Sequence, residues 1–227
     1  YALAAFLTVF LDEVKSRGHN QRSIGQCLKT LLQDKTALLF VVSMALVGEV
    51  VHVITVFLNQ SQYVRSGIEA KYFGLLVAMV QCASLMSVKA SRISGKFGNM
   101  PTINSFTLLI ILSSLILAIT TNPVFSITCV VVLASSLSII TPIATDVQNK
   151  RLTSGNRATM LSIYSMLGGL VASMGDIAVG KMTDYSLQAG FLLCMVLGLI
   201  ALSLSFVFSI FEKRKKVVEC EIETFKI

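Results

Sequence analysis

The stretch TALLFVVSMALVGEVVHVITVFL (Thr36–Leu58) decides the fold. It is apolar almost throughout, and its only ionisable side chains are Glu49 and His52. As a helix rising 1.5 Å per residue it is about 34 Å long, enough to cross roughly 30 Å of hydrocarbon. It lacks the strict alternation over about ten residues that marks a barrel strand. A helix satisfies its own backbone hydrogen bonds in lipid, so the segment reads as a transmembrane helix.

Five further segments pass the same test: Tyr72–Val88, Pro101–Thr120, Pro123–Thr145, Ala158–Gly180 and Ala189–Phe211. Composition agrees. Of the 227 residues, 54% are hydrophobic and 14% charged, against about 25% charged in a soluble domain. Too few charges remain to cover a water-facing surface. The expected fold class is an all-α membrane protein with six transmembrane helices over 36–211. A cytoplasmic loop (12–35) precedes them and a cytoplasmic tail (212–227) follows. Tyr1–Leu11 is apolar but too short to span, and has no basic region before it or small-residue cleavage site after it. It reads as the end of a preceding transmembrane helix rather than a signal peptide.

Lys and Arg sort the loops. Sixteen of them fall in the leading loop, the second loop (Lys89, Arg92, Lys96), the fourth loop (Lys150, Arg151, Arg157) and the tail. Only Arg65, Lys71 and Lys181 fall on the other side. This asymmetry places both ends of the six-helix unit in the cytoplasm. It also explains the net charge of +7 without a nucleic-acid partner. The five cysteines are scattered without CxxC or His-rich spacing, which argues against a disulfide framework or a zinc site. In the leading loop, Ile24, Cys27, Leu28, Leu31 and Leu32 recur at helical spacing. They form a short amphipathic helix, lying on the membrane interface or packed on protein. The short Thr120–Pro123 link makes the third and fourth spans antiparallel neighbours. Pro101 and Pro123 suit helix starts, and Pro142 is expected to bend or weaken the fourth span.

Charges inside a membrane are expensive and mark function by default. Glu49 and His52 lie well inside the first span, three residues apart and on one helical face. As a carboxyl–imidazole pair they are candidates for proton exchange; Glu49 is alternatively a holder of a cationic substrate. Asp176, toward the outer end of the fifth span, is a third candidate. Asn59, Gln81 and Asn104 are candidates to line a cavity or bond between helices. Asp146 with Arg151 and Arg157 forms a candidate cytoplasmic gate or a solvated charge cluster. Ser165, Gly169 and Ser173, with Gly168 and Ala172 beside them, make a small-residue face for close helix packing.

Three stretches resemble the C-terminal half of a major facilitator superfamily transporter. IGQCLKTLLQDKTALLFVVSMALVGEV (Ile24–Val50) is similar to that family's central loop and seventh helix. SVKASRISGKFGN (Ser87–Asn99) is similar to the second copy of its cytoplasmic loop motif, without the acidic residue that follows the first Gly there. NKRLTSGNRATMLSIYSMLGG (Asn149–Gly169) looks like its loop between helices ten and eleven. The resemblance implies that the six spans are helices seven to twelve and that an N-terminal six-helix bundle completes the protein. It implies a secondary transporter of a small solute that works by alternating access around a midplane site. Proton coupling, a plasma-membrane location and no cofactor or metal are expected with it. The weakly polar helices lean toward efflux of amphipathic compounds. Two other classes remain to be weighed. One is a six-helix transporter or channel that assembles with itself. The other is an integral membrane enzyme, disfavoured because HExxH, GxSxG and P-loop patterns are absent and His19 and His52 are far apart.

Overall fold

The computed structural model describes residues 25, 29, 31, 33–152 and 157–224, with side chains to Glu212 and that of Arg214. Tyr1–Leu11 and most of the loop at 12–35 lie outside the described residues. Six long apolar helices cross the molecule: α1 (Lys35–Arg65), α2 (Ala70–Phe97), α3 (Asn99–Ile119), α4 (Pro123–Lys150), α5 (Arg157–Tyr185) and α6 (Leu187–Thr224, its spanning part ending at Glu212). Among the described residues there is no strand. The all-helical membrane architecture expected from the hydropathy pattern is the one observed.

Local chemistry sets the helix ends. Asp34 caps α1, its Oδ1 accepting from the Thr36 and Ala37 amides at 3.1 and 3.0 Å. Asn122 caps α4 in the same way, with Pro123 in the first turn, where a missing N–H costs little. Gly98 joins α2 to α3 at φ +88°, a backbone shape that side chains with a Cβ rarely adopt. α4 runs through Pro142 to Lys150 without a break. The buried Ile139, Ile140, Ile143 and Ala144 pack on either side of Pro142.

α1 is the central helix, with 56% of its apolar window buried against 17% for α2 and 22% for α5. It packs on α5 and α6 and also touches α4; α6 in turn packs on α3, and α3 on α4. Phe40 of α1 stacks on Phe208 of α6 at 4.6 Å between ring centroids. Ser43 Oγ donates to the Ala201 carbonyl at 2.7 Å, and Ser205 Oγ donates to Asn104 Oδ1 at 2.6 Å. Interhelical bonds of this kind are worth about 0.6 kcal/mol each on average in a membrane. Leu31, in the leading loop, is buried in a small cluster with Ala37, Val41, Ile163 and Tyr164. α2 and α5 therefore stand at the periphery. Leu75, Leu85 and Val88 of α2, and Met166, Leu170, Met174 and Ile177 of α5, are exposed.

Two irregular stretches interrupt the helices. Val53–Leu58 in α1 is π-helical, and Ala83–Lys89 in α2 is a 3-10 stretch. Such departures free backbone carbonyls, which in a membrane must be paired again. In α1 the Asn59 amide donates to the Thr55 carbonyl at 2.7 Å, and Thr55 Oγ1 to the Val51 carbonyl at 2.7 Å.

Candidate functional site

α1 and α5 run parallel and share a long seam. Midway along α1 that seam brings three ionisable side chains together. The ligand-type atoms of Glu49, His52 and Asp176 all lie within 4.8 Å of one another. Glu49 is buried, while His52 and Asp176 are exposed on the same side. Glu49 Oε1 has no hydrogen-bond partner among the described residues. Buried polar atoms without partners are uncommon, so this one requires an explanation.

Each member is positioned by its own element. Glu49 and His52 stand one turn apart on α1, just before the π-helical stretch. The His52 ring meets Phe57 edge-on, with centroids 5.7 Å apart, which fixes the imidazole plane. Asp176 comes from α5. It lies in the second half of α5, which continues past Gly180 to Tyr185. Its neighbour Gly175 faces Glu49, and a Cβ built there would come 2.7 Å from Glu49 Cγ. The missing side chain at 175 is what lets the Glu49 stem enter the seam.

Two cavities open along this seam, one on each side of the cluster. The first, about 450 Å³, lies toward the basic-loop end, between Val41–Gly48 of α1, Leu161–Gly168 of α5 and the Leu137–Gln148 part of α4. The second, also about 450 Å³, lies toward the opposite end, between Val53–Ser61 of α1 and Asp176–Asp184 of α5. Gly48 borders the first cavity and Asp176 the second, so Glu49 and its partners form the partition between them. No Lys or Arg lines either cavity among the described residues.

The remaining candidates are placed elsewhere. Asn59 is buried, and its side chain is spent within α1, on the Thr55 carbonyl and the Gln60 amide. Gln81 is exposed on α2, far from the cluster in the chain. Asn104 accepts the Ser205 bond and also borders a third cavity, about 560 Å³, between α3, α4 and the end of α6. Asp146 pairs with Lys150 at 2.6 Å within α4, not with Arg151 or Arg157. Arg157 donates to Asn149 Oδ1 at 3.1 Å. Arg151 reaches α6, lying 4.4 Å over the Phe208 ring and 3.9 Å from Glu212 Oε1.

Several of these partners escaped sequence reading. Gly175 had no signal beyond its position next to Asp176. Glu212 is an acid at the head of a basic run, a local break that marks it only in hindsight. A second buried polar cluster was missed as well. Gln62 Nε2 donates to the Thr120 carbonyl and to Ser126 Oγ, each at 2.9 Å, and Ser66 Oγ lies 2.8 Å from Ser126 Oγ.

No curated protein matches the chain. Residues 1–176, more than three quarters of it, match the family model described as Major Facilitator Superfamily. With six apolar membrane helices and that match, the chain belongs to the Major Facilitator Superfamily, a family of multi-pass membrane transporters that move small molecules across a lipid bilayer.

Proposed function

We propose that this chain is the C-terminal six-helix half of a proton-coupled secondary transporter, and that its α1–α5 seam is part of the transport pathway. The observation that carries the reading is the placement of Glu49, His52 and Asp176 between two cavities that open toward opposite ends of one seam. Alternating access needs such a partition: a site reached from either side, with chemistry that both sides can address. A carboxyl and an imidazole in contact supply groups able to take and release a proton. The exposed apolar faces of α2 and α5 are where the N-terminal bundle docks. Arg151 and Glu212, paired across α4 and α6 at the basic end, serve as a cytoplasmic gate. The basic loops keep both ends of the unit in the cytoplasm, in the plasma membrane, and the weakly polar seam fits efflux of an amphipathic solute.

The test is flux. The protein, reconstituted in liposomes holding a pH-sensitive dye, should dissipate an imposed pH gradient when a transported solute is added. Glu49→Gln should reduce that coupled flux by about a hundredfold, in the range seen when a proton-transfer group is removed. Flux that ignores the pH gradient and survives Glu49→Gln sinks the reading. The intact mass of the natural protein tests the half-transporter assignment. A value near twice 24.6 kDa is expected, and one near 24.6 kDa favours self-assembly of six-helix units.

A further inference from the structure

We propose that Glu49, His52 and Asp176 form a binding site for a divalent first-row metal cation, against the sequence expectation that the protein holds no metal. The inference rests on the reading of the α1–α5 seam as the transport pathway, and it names the class of ligand that pathway receives.

Three observations carry it. The first is the donor set. Two carboxylates and one imidazole are a mixed oxygen and nitrogen set that suits manganese, iron, cobalt or zinc, and imidazole distinguishes it from an all-oxygen calcium or magnesium site. The second is proximity across the fold. The three donors come from two helices more than 120 positions apart in sequence, yet all lie within 4.8 Å of one another. Metal–ligand bonds of about 2.0–2.2 Å at tetrahedral angles place donors on one ion roughly 3.4 Å apart. Side-chain adjustments of up to about 1.4 Å therefore close the triad on a single ion.

The third observation is independent of the grouping. Glu49 is 3% exposed, and its Oε1 has no hydrogen-bond donor among the described residues. Glu49 thus has a buried oxygen without a partner beside two further ligand side chains, free to take a cation. No described Lys or Arg supplies one: the ion pairs of this molecule are Lys71–Glu69, Lys150–Asp146 and Arg151–Glu212, all away from the seam. Access exists as well. Asp176 borders the second cavity, which Asp184, Ser61 and Thr183 also line, so the approach to the triad presents oxygen donors.

The intact protein in lipid nanodiscs, titrated with Mn²⁺ and followed by electron paramagnetic resonance, tests this. Loss of the free Mn²⁺ signal should saturate at one ion per chain. Zn²⁺ should displace it. Outer-shell partners alone are commonly worth 10–100-fold in metal affinity, so removing a ligand should weaken binding by at least about tenfold. That loss is expected separately for Glu49→Gln, His52→Ala and Asp176→Asn. Glu69→Gln, on an exposed loop, should bind as the unaltered protein does. His52 and Asp176 are exposed, so their variants keep the test valid if the buried Glu49 variant folds poorly. No saturable Mn²⁺ binding, or binding indifferent to all three substitutions, overturns the proposal. If binding is absent while coupled flux still depends on Glu49, the metal site is wrong and the transport reading stands. If the ion binds as described while no proton-coupled flux is found, the site stands and the proton-coupled reading fails.

Discussion

Two buried polar clusters lie in the membrane part of this molecule, and they differ in one respect. Around Gln62, toward the end of α1 opposite the basic loops, the three clustered side chains are paired: Gln62 Nε2 on Thr120 and Ser126, and Ser66 on Ser126. Around Glu49, midway along α1, a buried carboxylate oxygen has no partner among the described residues. The first cluster ties α1 to the α3–α4 turn and asks for nothing further. The second is incomplete, and it lies between two cavities. A satisfied network rigidifies a membrane bundle, whereas an unsatisfied one stores free energy that a ligand or proton can release. Completeness of hydrogen bonding, more than polarity, separates scaffold from site here.

The contrast can be broken in four places. The largest effect should come from replacing Glu49 by Leu, which is expected to abolish transport while raising thermal stability. Removing a buried, unpaired polar group recovers about 1–3 kcal/mol. Differential scanning fluorimetry beside flux measurement shows whether the two move in opposite directions; a drop in melting temperature would mean Glu49 is structural. Next comes Gly175→Ala. Its Cβ would stand 2.7 Å from Glu49 Cγ, so the carboxylate must shift. A one-ångström misplacement can cost about a hundredfold in a preorganised site, and a loss of at least tenfold in flux is expected.

Gln62→Leu should act oppositely to Glu49→Leu. It leaves the Thr120 carbonyl and two hydroxyls short of a donor, lowering stability by about 1–2 kcal/mol. Transport per folded molecule should be unchanged; a selective loss of flux would place Gln62 in the pathway instead. The smallest effect is expected for Asp146→Ala. Its pair with Lys150 is an exposed i, i+4 contact, worth about 0.3–0.5 kcal/mol. A large change in flux with little change in melting temperature would instead reveal Asp146 as a gate residue.

Much of the frame was legible beforehand. The apolar run at Thr36–Leu58 already predicted the first membrane helix, and Pro123 already predicted where α4 begins. Helix ends were less legible. α1 extends past Leu58 to Arg65, α2 on to Phe97 and α5 to Tyr185, because polar residues continue a helix once it leaves hydrocarbon. Hydropathy is blind to that continuation. Pro142 does not end α4, which continues to Lys150.

The sequence by itself determined the elements and their class, because hydropathy, capping and charge asymmetry are local or act through the bilayer. It also placed Glu49 and His52 on one face, since a helix repeats every 3.6 residues whatever surrounds it. Only the tertiary structure decided that Asp176 joins them, that Gly175 makes room, and that cavities flank the cluster. Those facts depend on which helix packs against α1, and at what height. Lipid-facing and helix-facing apolar surfaces look alike in sequence: lipid tails are as apolar as leucine, so hydrophobicity carries no information about which membrane helices meet.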